Sequence, residues 1–118
     1  MKLIIIDNEI PVRSSIKSLL LKCCPEITTI VEADGVQNGL QSISSFQPDI
    51  VLLDVEMDDG TGFDLMRQLK NPSFQLIFVT AHNQYAIDAF RFSAIDYLLK
   101  PIDPDELQRA IQKAIRQI

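Results

Sequence analysis

Four short apolar runs, at residues 3–6, 50–53, 76–79 and 97–99, each stop abruptly at polar residues. The stops are Asp7-Asn8-Glu9, Asp54, Thr80 and Lys100-Pro101. Aliphatic runs of this length without polar alternation read as strands buried on both faces, as in a parallel sheet covered by helices. In an open parallel sheet, the carboxyl ends of the strands converge on one crevice. An acid pair, a lone acid, a hydroxyl and an amine would then meet there. That set suits a divalent cation and a phosphoryl group.

The segments between the runs carry helical periodicity. Val12, Ile16, Leu19, Leu20 and Cys23 recur at helical spacing, with Pro11 in a first-turn position and Pro25 as a stop. Residues 27–31 form a β-branched run and read as a second strand. A helix follows over 35–46 and is broken by Gln47-Pro48-Asp49. Gly60 and Gly62 predict a flexible loop, and Phe63, Leu65, Met66 and Leu69 a short helix ended by Asn71-Pro72. A fourth helix is expected over 85–92, a fifth strand over 95–99, and a last helix from Pro104 to the end of the chain. Five strands alternating with five helices predict a doubly wound, flavodoxin-like (βα)5 sandwich. The expected order of its five parallel strands is 2-1-3-4-5, with the crevice between strands 1 and 3.

With 118 residues the chain has room for one domain. The formal net charge is -5 and no basic run occurs, which argues against direct nucleic-acid binding. No apolar run reaches the roughly 20 residues of a membrane span, so a cytoplasmic location is expected. Cys23 and Cys24 read as reduced thiols at a helix end. His82 is the only histidine, which excludes a histidine-based metal site.

In order along the chain, Ile6-Asp7-Asn8-Glu9, Asp54-Val55-Glu56-Met57, Val79-Thr80-Ala81 and Asp96-Tyr97-Leu98-Leu99-Lys100-Pro101 resemble the receiver domain of two-component response regulators. The likeness covers the whole chain, residues 1–118. The stretches from Thr80 to Phe90 and from Asp96 to Ile102 are most similar to receivers of the LytTR class. The resemblance implies that Asp54 is the phosphoacceptor, charged by a sensor histidine kinase. It implies a Mg²⁺ site made by Asp7, the residue at position 8, Asp54 and the backbone carbonyl of Glu56. It gives Thr80 and Lys100 to the phosphoryl oxygens, and lets small Ala81 leave room for the donor. Thr80 would move toward the phosphoryl group and Tyr97 would rotate inward behind it. The face of the fourth helix, fifth strand and fifth helix would then change. A homodimer through that face is possible in the family, with Arg91, Asp96, Arg109 and Lys113 as candidate charge pairs. DNA would be contacted only through an output domain outside this sequence. A cis Lys100-Pro101 bond is expected to aim the lysine into the crevice.

Glu56 and His82 occupy positions that border the phosphoryl group in the family. Here they could form an acid–imidazole pair over the site, which would make dephosphorylation vary between about pH 5 and 8; the alternative is a solvated His82 with no such role. Two residues depart from the family pattern. Asn8 stands where a second acid normally ligates Mg²⁺ directly. An amide oxygen also coordinates hard cations, so weaker Mg²⁺ affinity is expected, restored by Asn8→Asp. Asp58 stands where proline is usual and adds an acid near the site. The main alternative is a degenerate receiver that acts as a phosphorylation-independent interaction module. An aspartyl-phosphate phosphatase would need Asp-x-Asp-x-Thr at the first strand. A flavodoxin-like FMN carrier would need a Ser/Thr/Gly-rich loop where Asp7-Asn8-Glu9 stands.

Overall fold

The computed structural model describes all 118 residues. Its main sheet has five parallel strands: β1 (Lys2–Ile6), β2 (Thr29–Ala33), β3 (Ile50–Leu53), β6 (Gln75–Thr80) and β7 (Asp96–Leu99). Their order is β2-β1-β3-β6-β7, the expected doubly wound arrangement with its reversal between β1 and β3. A two-residue antiparallel pair, β4 (Glu56–Met57) and β5 (Gly60–Thr61), lies beyond β3. The helices are α1 (Ile10–Cys23), α2 (Val36–Phe46), α3 (Gly62–Arg67), α4 (Ala86–Phe90) and α5 (Pro104–Arg116).

Strand side chains alternate between faces, and the sheet therefore builds two cores. Leu3, Ile5, Ile50, Leu52, Ile77, Val79 and Leu98 face α1 and α5 and meet Ile16, Leu20, Leu107 and Ile111. Ile4, Ile6, Val51, Leu53, Leu76 and Phe78 face the other way and meet Val36, Ile43, Phe63, Leu65 and Ala89. The side chains at the centre of β1 and β3 are almost wholly buried. Each contributes about 1.5–3 kcal/mol of transfer free energy. That anchors the strand ends, and hence the polar residues that follow them.

Three sequence expectations change. The second strand is Thr29–Ala33, not 27–31. Ile27 is buried in the turn after α1, its N–H bonded to the Cys24 carbonyl at 3.1 Å, so its apolar character serves the core rather than the sheet. The loop after β3, expected to be flexible, is a hairpin. Gly60 supplies its turn at φ 145°. Gly62 lets the chain pass under the Asp54 carbonyl, 2.5 Å from where a Cβ would stand. The fourth helix is five residues, Ala86–Phe90, rather than 85–92. Cys23 and Cys24 are free thiols at the end of α1, as expected. Burial, then the neighbouring Cys23 and Glu26, push the Cys24 thiol up to about 11, so it is unreactive at neutral pH.

Candidate functional site

Each polar stop of the sequence reaches the carboxyl edge of the sheet. Asp7 follows β1, Asp54 follows β3, Thr80 ends β6 and Lys100 follows β7. Asp7 and Asp54 are 2% and 5% exposed, unusual burial for carboxylates. Lys100 Nζ lies 2.7 Å from Asp7 Oδ2 and 3.0 Å from Asp54 Oδ2, and donates a hydrogen bond to Asp54. The Lys100 N–H is fixed to the Thr80 carbonyl at 2.9 Å, and the Lys100-Pro101 bond is cis, as expected.

One ammonium thus serves two buried carboxylates. Burial raises the Asp7 carboxyl above its ordinary value, and the charge of Asp54 adds to the rise. Lys100 and the Glu9 N–H, which donates to Asp7 Oδ1 at 2.9 Å, offset only part of it. For Lys100, burial alone would lower the ammonium, but Asp7 and Asp54 outweigh it and hold it above the usual lysine value. Asp7 Oδ2 is within charge contact of Lys100 yet receives no well-directed hydrogen bond. Two buried carboxylates thus share a single ammonium, which leaves net negative charge in the crevice and favours a further cation.

The residues fit Mg²⁺, which takes one or two carboxylates and keeps several waters. No group of three or more His, Cys, Asp or Glu side chains is gathered to hold a metal ion. The two acids are the oxygen donors that the structure brings together; the resemblance adds the Asn8 amide and the backbone carbonyl of Glu56. Asn8 does not stand alone: its Nδ2 donates to Asp58 Oδ1 at 3.3 Å. The two departures from the family pattern therefore touch each other, which neither position signals by itself.

The other side of the crevice is closed by side chains from the β3–α3 and β6–α4 loops. His82 Nε2 lies 2.7 Å from Glu56 Oε2, so the two side chains weighed as an acid–imidazole pair are in contact. Tyr85, not singled out in the sequence, donates its hydroxyl to Glu56 Oε1 at 3.0 Å. Thr80 is fully buried and its Oγ1 accepts from the His82 N–H at 3.4 Å. Tyr97 is half-buried and donates to the His82 carbonyl. His82 thus ties Thr80, Tyr97 and Glu56 together. Ala81 is exposed at the rim. Of the four charges considered for a dimer, Asp96 and Lys113 pair within the chain at 3.0 Å, while Arg91 and Arg109 are exposed.

Below the rim, Asp59 accepts from the Val36 and Gln37 N–H groups at 2.7 and 3.1 Å. It caps α2 from 23 and 22 residues away, a contact without a local sequence signal. Those two N–H groups hold the Asp59 carboxyl below its ordinary value.

Comparison with known proteins bears on the family and the fold. The chain is 36% identical to the sensory transduction protein LytT of Bacillus cereus, over 99% of the chain and 48% of that protein. It is 34% identical to LytT of Enterococcus faecalis, over 100% and 49%. The chain spans about half the length of these curated relatives. Among solved structures, a response regulator receiver domain protein from Clostridium thermocellum superposes with a TM-score of 0.86. It shares 30% identity, with 98% of this chain and 94% of that one covered. The signal receiver domain of a putative LuxO repressor protein from Vibrio parahaemolyticus has the same fold, with a TM-score of 0.88 at 20% identity over 98% and 90%. Residues 3–112 match the response regulator receiver domain, and with two buried acids, a lysine and a threonine at the strand ends, the chain belongs to that family of two-component signalling domains.

Proposed function

We propose that Asp54 accepts a phosphoryl group from the phosphohistidine of a sensor kinase, and that the acyl phosphate switches the face built from α4, β7 and α5. The observation that carries this reading is the pair of buried acids sharing one ammonium, with Lys100 within 3.0 Å of both. An Asp54 carboxylate oxygen attacks phosphorus. The P–N bond to the donor histidine breaks as the P–O bond to Asp54 forms, and the imidazole leaves with its electron pair and takes up a proton. Phosphoryl transfer asks mainly for positioning and charge neutralisation. Mg²⁺, held by Asp7, the Asn8 amide oxygen, Asp54 and the Glu56 carbonyl, would neutralise charge shared by the carboxylate and phosphoryl oxygens. Lys100 pairs with a phosphoryl oxygen as a point charge. Thr80 turns its hydroxyl from the His82 N–H to the phosphoryl group, which frees His82 and Tyr97 to rearrange. This is a local charge event biasing a bistable element.

The protein is in this reading a signalling domain rather than an enzyme, with slow self-dephosphorylation bordered by Glu56 and His82. A cytoplasmic location goes with this reading; no helix is long and apolar enough to cross a membrane. The LytT relatives, about twice as long, support an output carried outside these residues. DNA contact belongs to that output, and a homodimer through α4, β7 and α5 would relay the switch. Intact mass after incubation with acetyl phosphate and Mg²⁺ tests the core of the proposal. The native chain gains one phosphoryl group and Asp54→Asn gains none. Asn8 favours a second reading, a degenerate interaction module, and a native chain that stays unmodified at saturating Mg²⁺ would establish it.

A further inference from the structure

We infer that Asp58 is a positioning residue for Mg²⁺: it holds the Asn8 amide with its oxygen free for the cation and makes that oxygen a stronger donor. This rests on the proposed Mg²⁺ site and adds to it the residue that replaces the missing second acid.

The argument begins with what each group can do. An ionised carboxylate only accepts hydrogen bonds, so the Asn8 edge facing Asp58 must be its NH₂. The observed contact is Asn8 Nδ2 to Asp58 Oδ1 at 3.3 Å. The carbonyl edge of the amide is thereby left without a claim from Asp58. Asn8 directly follows Asp7, whose buried Oδ2 lacks a directed hydrogen bond in the crevice. An amide oxygen that Asp58 does not claim, and a buried carboxylate whose Oδ2 has only the shared Lys100 ammonium beside it, stand on consecutive residues and suit a shared cation.

Asp58 is also held in place. It sits at the tip of the β4–β5 hairpin, beside Asp59, whose two hydrogen bonds to the start of α2 pin that tip. An anion hydrogen-bonded to the far side of a ligand fixes its orientation and raises its donor strength, as carboxylates do behind metal-bound histidines. Asp58 does not join the acids as a ligand itself, since no third carboxylate gathers with Asp7 and Asp54. The arrangement moves the lost charge of position 8 one step outward.

Calorimetric titration with Mg²⁺ alone tests this on the native chain, Asp58→Ala, Asp58→Asn, Asn8→Asp and Asn8→Asp/Asp58→Ala. In the native background Asp58→Ala weakens Mg²⁺ binding about tenfold. Asp58→Asn, which keeps an acceptor but not the charge, falls between. In the Asn8→Asp background the amide that Asp58 orients is gone, so removing Asp58 costs much less Mg²⁺ affinity. The unfolding midpoint of the metal-free Asp58→Ala protein stays near native, which separates positioning from folding. Unchanged affinity in Asp58→Ala, or the same loss in both backgrounds, overturns the inference while leaving the Mg²⁺ site standing. Failure of every protein to bind Mg²⁺, Asn8→Asp included, brings down the site itself and this inference with it.

Discussion

Helices α5 and α4 flank edge strand β7 from opposite faces of the sheet and are held in opposite ways. The 13 residues of α5 carry their own instructions. Asp103 caps the first turn by accepting from the Asp105 N–H at 3.1 Å, with Pro104 just inside it. Asp105 and Glu106 face the positive end of the helix, and Lys113 and Arg116 the negative end. Leu107, Ala110, Ile111 and Ala114 are completely buried. The five residues of α4 have no side-chain cap and bury only Ala89, while Ile87 and Phe90 are 77% and 80% exposed. So short a helix is not stable on its own. Its position is set by the loop before it, where Tyr85 reaches Glu56 and His82 meets Thr80 and Tyr97. The lesson is one of division: α5 is anchored by its own residues, and α4 by the loop before it, which makes α4 the element that the proposed switch would move.

The largest expected effect tests that division directly. Leu107→Ala removes a side chain with no exposure and costs about 3 kcal/mol of unfolding free energy. Phe90→Ala, on α4, stays within about 0.5 kcal/mol. Urea unfolding of both variants checks this. Similar losses would mean that α4 is packed as firmly as α5, and the contrast would fail.

Next in size is the ammonium that joins the end of β7 to the acids. Lys100→Met leaves Asp7 and Asp54 buried without a counter-charge. Breaking a fully buried pair costs about 3–5 kcal/mol, and the 15% exposure of this side chain argues for the order of 2 kcal/mol. The pH dependence has two parts. The folded value of Lys100 is raised, so its contribution is complete below the ordinary lysine value of about 10.4 and disappears as pH rises through the higher folded value. The native chain therefore converges on Lys100→Met in that alkaline window. The Asp7 value is also raised, so its ionised form opposes folding, and stability is regained as pH falls through it. The deficit of Lys100→Met should shrink there too. Mg²⁺ should restore more stability to the variant than to the native chain, because a cation then takes the ammonium's place. A pH-independent deficit, untouched by Mg²⁺, would show that Lys100 acts by packing alone.

The same contrast explains what could be read from residues alone. Strands β1, β3 and β6 are central and buried on both faces, so their apolar runs mark them to within a residue. Edge strand β2 is half-exposed and includes Thr29 and Glu32, so its β-branched neighbours at 27–28 drew the expected boundary two residues early. Helix α5 announces itself through proline, acids and stripe. For α4 the apolar residues suggested a longer helix, but Ile87 and Phe90 point to solvent. At the site, Asp7, Asp54, Thr80 and Lys100 were legible because each ends a strand. The Asn8–Asp58 contact and the Asp59 cap were not, since both join residues more than 20 positions apart through a turn whose shape no local pattern encodes.

Helix α2 offers the intermediate case, and the smallest effect. Its start, at Gly35, has no side-chain cap of its own, and Asp59 supplies one from the hairpin. Asp59→Ala should cost about 1 kcal/mol, the usual worth of a helix cap. The carboxyl of Asp59 is lowered, first by the Val36 N–H and then by that of Gln37, so its contribution is present above the unfolded carboxylate value of about 3.9 and lost as pH falls through the lower folded value. The difference between variant and native chain should close at that acid limit. Amide exchange should quicken at Val36 and Gln37 while α5 keeps its protection. Because the same two bonds pin the hairpin tip, Asp59→Ala should also weaken Mg²⁺ binding, though by less than Asp58→Ala. A variant that loses the α2 cap but binds Mg²⁺ as tightly as the native chain would show that the tip is fixed by Gly60 and the β4–β5 pairing alone. The borrowed cap would then serve only the helix it covers.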